Sequence, residues 1–209
     1  MSFDSRQLKK WPKIIMKKYL SAKESTDFKI MPIDEEKMDS YYILIQPSGG
    51  HYKGQLHILE FKARWGDCNL FPFNPPLVKF VTKIFHPNIS VNGSVCVDIL
   101  QDKSKWSPQY DINSVVSSII LLLDTPNNSS PYNHEASGLY RTCESEYKTL
   151  SKNIKADYRI LDEIRNNCFK SFDLHASNYS NTDISMYMKY FEEDRIIGDI
   201  TDDVKKIQI

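Results

Sequence analysis

Four strand-like segments joined by short links constrain the fold of this 209-residue sequence more than any other feature. The segments are rich in β-branched and aromatic residues, and they cover residues 28–33, 41–46, 56–63 and 78–82. Residues 47–50, Pro-Ser-Gly-Gly, supply turn chemistry between the second and third segments. Because short links join neighbouring antiparallel strands, whereas parallel strands need a long crossover, the sequence predicts a four-stranded antiparallel meander.

A helical pattern precedes these strands. Residues 8–19 place apolar side chains at helical spacing between five lysines, which predicts a basic amphipathic helix. Pro12 is awkward within it, since proline lacks a backbone N–H. Either the helix begins near Trp11, with Pro12 in its first turn, or it kinks at the proline.

A long irregular segment and further helical patterns follow the strands. Residues 83–109 predict an ordered loop, and a loop of this length in a compact domain is usually functional. Asp111 can cap a largely buried helix, a second helix is expected from near Asn133 through Tyr147, and a third around residues 154–164. Strands first and helices afterwards, without alternation, predict the α+β class.

Helical periodicity weakens towards the end of the sequence. We therefore expect a core domain at residues 1–169 and a C-terminal extension at residues 170–209. The extension combines acidic residues with aromatic residues and methionines, a composition that suits docking better than a fully disordered tail.

Composition argues against several function classes. Lys+Arg and Asp+Glu are equal at 27 each, so there is no basic surplus of the kind that nucleic-acid binding requires. No apolar run approaches the roughly 20 residues of a membrane span, and the N-terminus does not resemble a signal peptide. The four cysteines contain no CxxC pair, which argues against a zinc site and a disulfide scaffold. We expect an intracellular, reduced protein.

Cys96 is the candidate nucleophile. It lies in the irregular segment three residues after Gly93, where a thiol can be exposed in a shallow groove. A thiol suits an acyl carrier, because its ester is stable in water yet reactive towards amines. The alternative for any single cysteine is a packed structural residue, and we assign that role to Cys68, Cys143 and Cys168.

The motifs around Cys96 resemble the ubiquitin-conjugating enzyme family over residues from about 5 to about 165. The resemblance rests on four blocks in order: Phe71-Pro72-Phe73-Asn74-Pro75-Pro76; His86-Pro87-Asn88 with Gly93-Ser94-Val95-Cys96-Val97-Asp98-Ile99-Leu100; Trp106-Ser107-Pro108; and Asp124-Thr125-Pro126-Asn127 with Ser130-Pro131. It implies the UBC fold, with an N-terminal helix, a four-stranded antiparallel meander, a long active-site loop and C-terminal helices.

The resemblance also implies a mechanism. Cys96 would accept ubiquitin as a thioester from the activating enzyme and transfer it to a substrate lysine, usually with a ubiquitin ligase. Asn88 would either donate a hydrogen bond to the tetrahedral oxyanion or brace the active-site loop, and both accounts stay open. His86 could be read as a general base, but in the family it braces the loop. Asp98 is expected to tie down the backbone.

The loop at Ser130 departs from the common family pattern. Many members place an acid there to orient the substrate lysine, and Ser130 cannot do this as a carboxylate does. Residues 130–137 resemble instead the cell-cycle subgroup that works with cullin-based ligases, in which Glu135 matches an acidic position. The alternative for Glu135 is a first-turn carboxylate favoured by the helix dipole. The long acidic insertion of that subgroup is missing from residues 101–105, so its chain-building specificity is not transferred.

Partner surfaces follow from the same resemblance. Basic residues of the first helix would bind an acidic surface of the activating enzyme. The alternative, and the commoner explanation of a run of lysines, is a solvated helix face. An exposed aromatic residue and the loop after Trp106 would contact ligases. These surfaces comprise Lys9, Lys10 and Lys13 for the activating enzyme, and Phe73, Ser107 and Pro108 for ligases.

Other family properties complete the hypothesis. No metal or cofactor is expected, since ATP is used by the upstream activating enzyme. Expected partners are ubiquitin, the activating enzyme, ligases and protein substrates, in the cytoplasm and the nucleus. The shortened motifs would suit a virally encoded member acting in a host cell. Two alternatives are a weakly catalytic adaptor of the same fold and a carrier of a ubiquitin-like modifier.

Overall fold

The computed structural model describes residues 5–34, 36–66 and 69–153. Its elements, in chain order, are α1 (Ser5–Lys23), β1 (Phe28–Pro32), β2 (Ser40–Ile45), β3 (His57–Lys62), β4 (Arg64–Trp65), β5 (Asn69–Leu70), β6 (Leu77–Phe80), α2 (Asp98–Gln101), α3 (Ile112–Asp124), α4 (His134–Thr142) and α5 (Glu144–Asn153). The helix expected around residues 154–164 and the C-terminal extension expected at residues 170–209 lie outside the described residues.

Strands β1, β2, β3 and β6 form one sheet in that order, and every neighbouring pair is antiparallel. The predicted α+β class and four-stranded meander are confirmed. A two-stranded ribbon of β4 and β5, which the sequence analysis did not predict, fills the link between β3 and β6. Each of its strands has two residues, too few for an alternating pattern to be recognisable.

The core forms where two helices pack against the sheet. Alternate residues of β2, including Tyr41 and Ile43, join a buried cluster with Trp11 and Ile15 of α1 and Val116 of α3. Alternation places these strand residues on one face, and helical spacing does the same for the helices. Apolar burial of this kind is the main driving force that joins the three elements.

Helix α1 runs through Pro12, so the alternative in which the helix begins near Trp11 is wrong. A proline removes only one backbone hydrogen bond, whereas Trp11 and Ile15, on either side of it, are both buried and favour a continuous helix. The indole N–H of Trp11 also donates to the Phe71 carbonyl at 2.7 Å, which fixes the helix to the segment before β6. Leu8, expected on the apolar face, is 47% exposed.

The predicted cap of α3 is confirmed, but one predicted helix is broken. Asp111 accepts a hydrogen bond from the Ser114 N–H at 2.8 Å and caps α3, and Asn133 caps α4 in the same way. The single helix expected from Asn133 through Tyr147 is wrong, because α4 ends at Thr142 and α5 begins at Glu144.

Tyr147 gives the physical reason for this break. It is fully buried, and its hydroxyl lies 2.7 Å from the hydroxyl of Tyr52. Tyr52 in turn donates to the Phe85 carbonyl at 2.5 Å. The change of direction at Cys143 allows α5 to bury this tyrosine against the segment that follows β6.

The long segment after β6 is irregular, as predicted, apart from the single turn of α2. Ser94 forms an isolated bridge with Lys79 of β6, and the Phe80 N–H donates to the Gly93 carbonyl at 2.8 Å. Gly93 has a φ of +80°, a conformation that favours glycine. The sheet edge and this glycine therefore set the path of the chain just before Cys96.

We expect Gly93→Ala to lower the free energy of unfolding by about 3 kcal/mol or more. An added Cβ would lie 2.0 Å from the Phe80 carbonyl oxygen, a backbone atom that cannot move aside easily. The matched control is Gly54→Ala, which has a similar φ of +75° but no atom within 4 Å of the added Cβ. Urea unfolding of the two variants separates the clash from backbone strain, and equal losses would contradict this account.

Acidification is expected to destabilise the fold, because His57 and His86 are buried. Burial lowers the pKa of His57 to about 4 and that of His86 to about 3, from an ordinary value of 6.5. As the pH falls, the unfolded chain therefore takes up protons before the folded chain does. The contribution of the two rings to the free energy of unfolding is fully present above about pH 6.5. Below that pH it decreases by up to about 1.4 kcal/mol per pH unit for each ring.

Urea unfolding between pH 7 and pH 5 measures this dependence. The His57→Phe variant keeps an aromatic ring between Tyr52 and Phe80 but cannot take up a proton, so its stability should fall less steeply with acidification. The exposed His134 provides the control, and His134→Gln should retain the original slope. An unchanged slope in His57→Phe would show that burial of this ring is not the cause.

Candidate active site around Cys96

Cys96 lies between an isolated bridge of Ile89 with Val95 and the single turn of α2. Cys96 as a residue is half-buried, so part of its surface is accessible. The Cys96 N–H donates to the Asn88 carbonyl at 2.8 Å, and the Gln101 side chain donates to the Val95 carbonyl at 2.9 Å. Bonds on both sides of Cys96 therefore fix the main chain of a residue that is only half-buried.

His86 is fully buried beneath this segment. Its Nε2 lies 3.0 Å from the Leu122 carbonyl, to which it must donate, and its Nδ1 accepts the Asn88 N–H at 3.0 Å. Burial lowers the pKa of His86 to about 3, so the ring is neutral. Because both ring nitrogens are engaged, this geometry favours the bracing role that the resemblance implies. It leaves His86 no free lone pair with which to act as a general base.

The Asn88 side chain forms a pair of hydrogen bonds with the backbone of Asn127. Its Oδ1 accepts the Asn127 N–H at 2.8 Å, and its Nδ2 donates to the Asn127 carbonyl at 2.6 Å. Asn88 is fully buried, whereas Asn127 is exposed, so these bonds lie at the boundary between the interior and solvent. They join the loop after α3 to the segment that holds Cys96. The amide nitrogen has a second N–H beyond this pair.

The loop before α4 is held over the same segment. The Pro87 carbonyl accepts the N–H of Tyr132 at 2.8 Å and the N–H of Asn133 at 2.9 Å. The side chain of Tyr132 is 42% exposed and lies near Cys96. Burial raises the pKa of Tyr132, and the neighbouring Cys96 raises it further.

Sequence reasoning missed Tyr132. The only local signal is an aromatic residue between Ser130-Pro131 and the helix cap Asn133. Its position near Cys96 spans 36 positions along the chain and depends on the two bonds to Pro87, which no sequence pattern reveals.

Ser130 and Glu135 are both exposed, on either side of Tyr132. Within the described residues, Cys96 forms a backbone hydrogen bond with Asn88, and no hydrogen bond joins it to Ser130 or Glu135. Glu135 lies in the first turn of α4, where the helix dipole favours a carboxylate. Its role towards a substrate lysine stays a prediction.

Asp98 requires a correction. The sequence analysis expected it to tie down the backbone, but its carboxylate instead forms an ion pair with the Lys105 ammonium at 2.6 Å. Both side chains are more than half exposed, so this pair contributes little stability. It links the start of α2 to the residue before Trp106.

The residues assigned to ligases come together through Trp106. Its indole N–H donates to the Pro72 carbonyl at 2.8 Å, which joins the Phe73 segment to the Ser107-Pro108 segment. Phe73 and Ser107 are half-buried, and Pro108 is exposed. The side chains assigned to the activating enzyme, Lys9, Lys10 and Lys13, are all exposed on α1.

Neither a cluster of metal-binding side chains nor a membrane-spanning helix is found in the part of the chain that the structure describes. Among residues 5–34, 36–66 and 69–153, no three His, Cys, Asp or Glu side chains lie close enough together to hold a metal ion. Of the helices in the same ranges, none combines the length and the apolar character needed to span a membrane.

A family model described as "Ubiquitin-conjugating enzyme" matches residues 14–155. Among curated proteins, the chain is 51% identical over 118 residues to "Ubiquitin-conjugating enzyme E2 2" of Trichoderma harzianum, covering 56% of this chain and 73% of that protein. It is 44% identical over 118 residues to the protein of that name from Debaryomyces hansenii, covering 56% and 66% of the two chains.

A third relative is "Ubiquitin-conjugating enzyme E2 1" of Caenorhabditis elegans, which is 49% identical over 78 residues, or 37% of this chain and 40% of that protein. The family match covers both the sheet and the segment around Cys96. The arrangement of helices and sheet is consistent with the UBC fold that the resemblance implied. The chain belongs to the ubiquitin-conjugating enzyme family.

Proposed function

We propose that this protein accepts ubiquitin from the activating enzyme as a thioester on Cys96 and transfers it to a substrate lysine, usually with a ubiquitin ligase. Family membership supports the activity, and the names of the relatives support ubiquitin as the cargo. The observation that carries the assignment to Cys96 is that this half-buried cysteine is held by a backbone bond beside the buried Asn88.

The chemistry needs a nucleophile that is also a good leaving group. In the transfer step, the lysine nitrogen attacks the thioester carbonyl carbon and the N–C bond forms. The C–S bond then breaks, its electron pair returns to Cys96, and the extra proton on nitrogen passes to solvent. A free thiol ionises near pH 8.5, so its thiolate leaves far more readily than an alkoxide would.

The substrate lysine must lose a proton before it attacks, since its ordinary pKa is about 10.4. His86 is not the base, because both of its nitrogens are bonded within the protein. Glu135 is exposed at the start of α4 and is our candidate for attracting and orienting the lysine. Ser130, also exposed, would line the path of the substrate.

The role of Asn88 is at least partly to brace the site. Its paired bonds to Asn127 hold the two loops that flank Cys96, and removal of a buried pair leaves the partner groups unsatisfied. The second amide N–H could in addition donate to the oxyanion. The bracing role and the oxyanion role of Asn88 predict different effects on the rates of loading and discharge.

Partner binding would use neighbouring surfaces. The exposed lysines of α1 would attract an acidic surface of the activating enzyme, and Phe73, Ser107 and Pro108 would contact ligases. Trp11 and Trp106 donate to adjacent carbonyls, of Phe71 and Pro72 respectively, so both surfaces depend on one backbone segment.

A loading assay tests the proposed function. Incubation with the activating enzyme, ubiquitin and ATP should produce a band heavier by one ubiquitin that disappears on addition of thiol. Cys96→Ser should give a thiol-resistant ester, whereas Cys143→Ser, which removes another half-buried cysteine, should load normally. The absence of any adduct on the wild-type protein would overturn the proposal.

Two arms of the same assay address the alternatives. Purified ubiquitin-like modifiers, each with its own activating enzyme, are offered in competition with ubiquitin, and preferential loading of one of them would change the assigned cargo. Discharge of the loaded protein is then followed with free lysine. Loading without discharge would favour an adaptor over an enzyme.

Replacement of Asn88 by alanine tests its bracing role. We expect Asn88→Ala to lower the free energy of unfolding by about 2 kcal/mol, since the backbone groups of Asn127 lose buried partners. The control is Asn92→Ala at an exposed turn position, which should leave stability almost unchanged. Unaltered stability of Asn88→Ala in urea unfolding would contradict the bracing account. A discharge rate that falls much further than the loading rate would show an oxyanion role as well.

A further inference from the structure

The side chain of Lys18 joins α1 to the loop before α3. Its ammonium donates to the Tyr110 carbonyl at 3.2 Å and to the Gln109 carbonyl at 3.3 Å, 92 and 91 positions further along the chain. Among the described residues, no backbone N–H donates to either carbonyl. The ammonium therefore gives two consecutive carbonyls a donor within the protein.

Helical spacing explains why this lysine points towards the loop. Ile15, Lys18 and Ala22 follow at intervals of three and four residues, so they share one face of α1. Ile15 and Ala22 are buried, whereas Lys18 is half-buried and Lys17 beside it is exposed. Lys18 thus lies at the edge of the packed face, where its apolar stem can cover the core while its ammonium reaches polar atoms.

The loop that Lys18 holds carries two residues of the expected ligase surface, Ser107 and Pro108. The Tyr110 N–H donates to the Ser107 carbonyl at 3.0 Å and closes a turn over residues 107–110. The Tyr110 ring also packs edge-on against the Trp106 indole, with the ring centroids 5.4 Å apart. The bonded indole of Trp106 fixes the start of this turn, and the ammonium of Lys18 fixes its end.

We propose that Lys18 is a positioning residue for ligase binding, whose ammonium holds the 107–110 turn in the conformation that presents Ser107 and Pro108. The inference rests on the proposed function, because it takes this turn to be a ligase-binding surface. A turn that is already formed loses less conformational freedom when a partner binds. Lys18 therefore increases the affinity for the ligase and takes no part in the transfer chemistry at Cys96.

Amide hydrogen exchange tests this positioning role on the free full-length protein, without ubiquitin or a ligase. The Tyr110 amide is bonded within the turn, so its exchange rate, measured by NMR, reports how often the turn opens. Lys18→Met keeps an apolar stem but removes both bonds to the carbonyls, and the Tyr110 amide should exchange about fivefold faster. Lys18→Arg retains a cationic donor and should restore most of the protection.

Two controls separate opening of the turn from a general loss of stability. Lys17→Met removes an exposed lysine of the same helix and should leave the exchange of the Tyr110 amide unchanged. In Lys18→Met, the Gly54 amide, bonded to the Pro47 carbonyl in the link between β2 and β3, should exchange at the wild-type rate. An unchanged Tyr110 rate in Lys18→Met, or an equal acceleration of both amides, would overturn this inference and leave the proposed function intact.

The effect on ligase binding has its own measurement. Wild-type protein and Lys18→Met are loaded, separated from the activating enzyme, and discharged to free lysine at increasing concentrations of a purified cullin-based ligase. The ligase concentration that gives the half-maximal rate should rise about fivefold in Lys18→Met, whereas the rate at saturating ligase should be retained. Lys18→Arg should return this concentration close to the wild-type value.

The outcomes of the ligase titration are distinct. An unchanged half-maximal concentration in Lys18→Met, or a fall confined to the saturated rate, would overturn the role of Lys18 in ligase binding. Loading of the wild-type protein without acceleration by the ligase would overturn that role for cullin-based ligases. If the wild-type protein never loads, the proposed function fails, and the exchange rates alone decide whether Lys18 positions the turn.

Discussion

Buried hydrogen bonds made by His86, Pro87 and Asn88 are the constraint on which the rest of the site depends. His86 bonds to the Leu122 carbonyl of α3, Asn88 pairs with Asn127 after that helix, and Pro87 holds the loop before α4. Each bond joins this segment to a different part of the chain. His86 and Asn88 are both buried, so a polar atom of either side chain that loses its bond has little access to water, and this favours a rigid frame around Cys96.

The frame also explains why the fold suits an acyl carrier. The sheet and α3 form a packed support, and the segment after β6 extends from it without regular structure. A cysteine within a strand or helix of the core would be sealed from solvent. In the irregular segment, hydrogen bonds fix the main chain around Cys96. The backbone atoms of this segment therefore provide rigidity, while Cys96 itself stays only half-buried.

Most of the fold could be predicted from the sequence, because its signals are local and repeated. Four segments rich in β-branched and aromatic residues, joined by short links, indicated the meander, and the predicted cap Asp111 acts through a side chain within three residues of its partner. The break at Cys143 could not be predicted, since it depends on Tyr147 reaching Tyr52 across the fold. The bond of Tyr132 to the Pro87 carbonyl and the ion pair of Asp98 with Lys105 are likewise set by tertiary geometry, whereas the candidate nucleophile was marked by its surrounding motifs.

The most direct measurement of this account is a crystal structure of the ubiquitin ester formed on Cys96→Ser. The account predicts an acyl carbon bonded to residue 96, with the Asn88 amide still paired with Asn127. An ester attached to any other residue would contradict the assignment of the nucleophile. An Asn88 side chain released from Asn127 in the loaded protein would contradict the rigid frame.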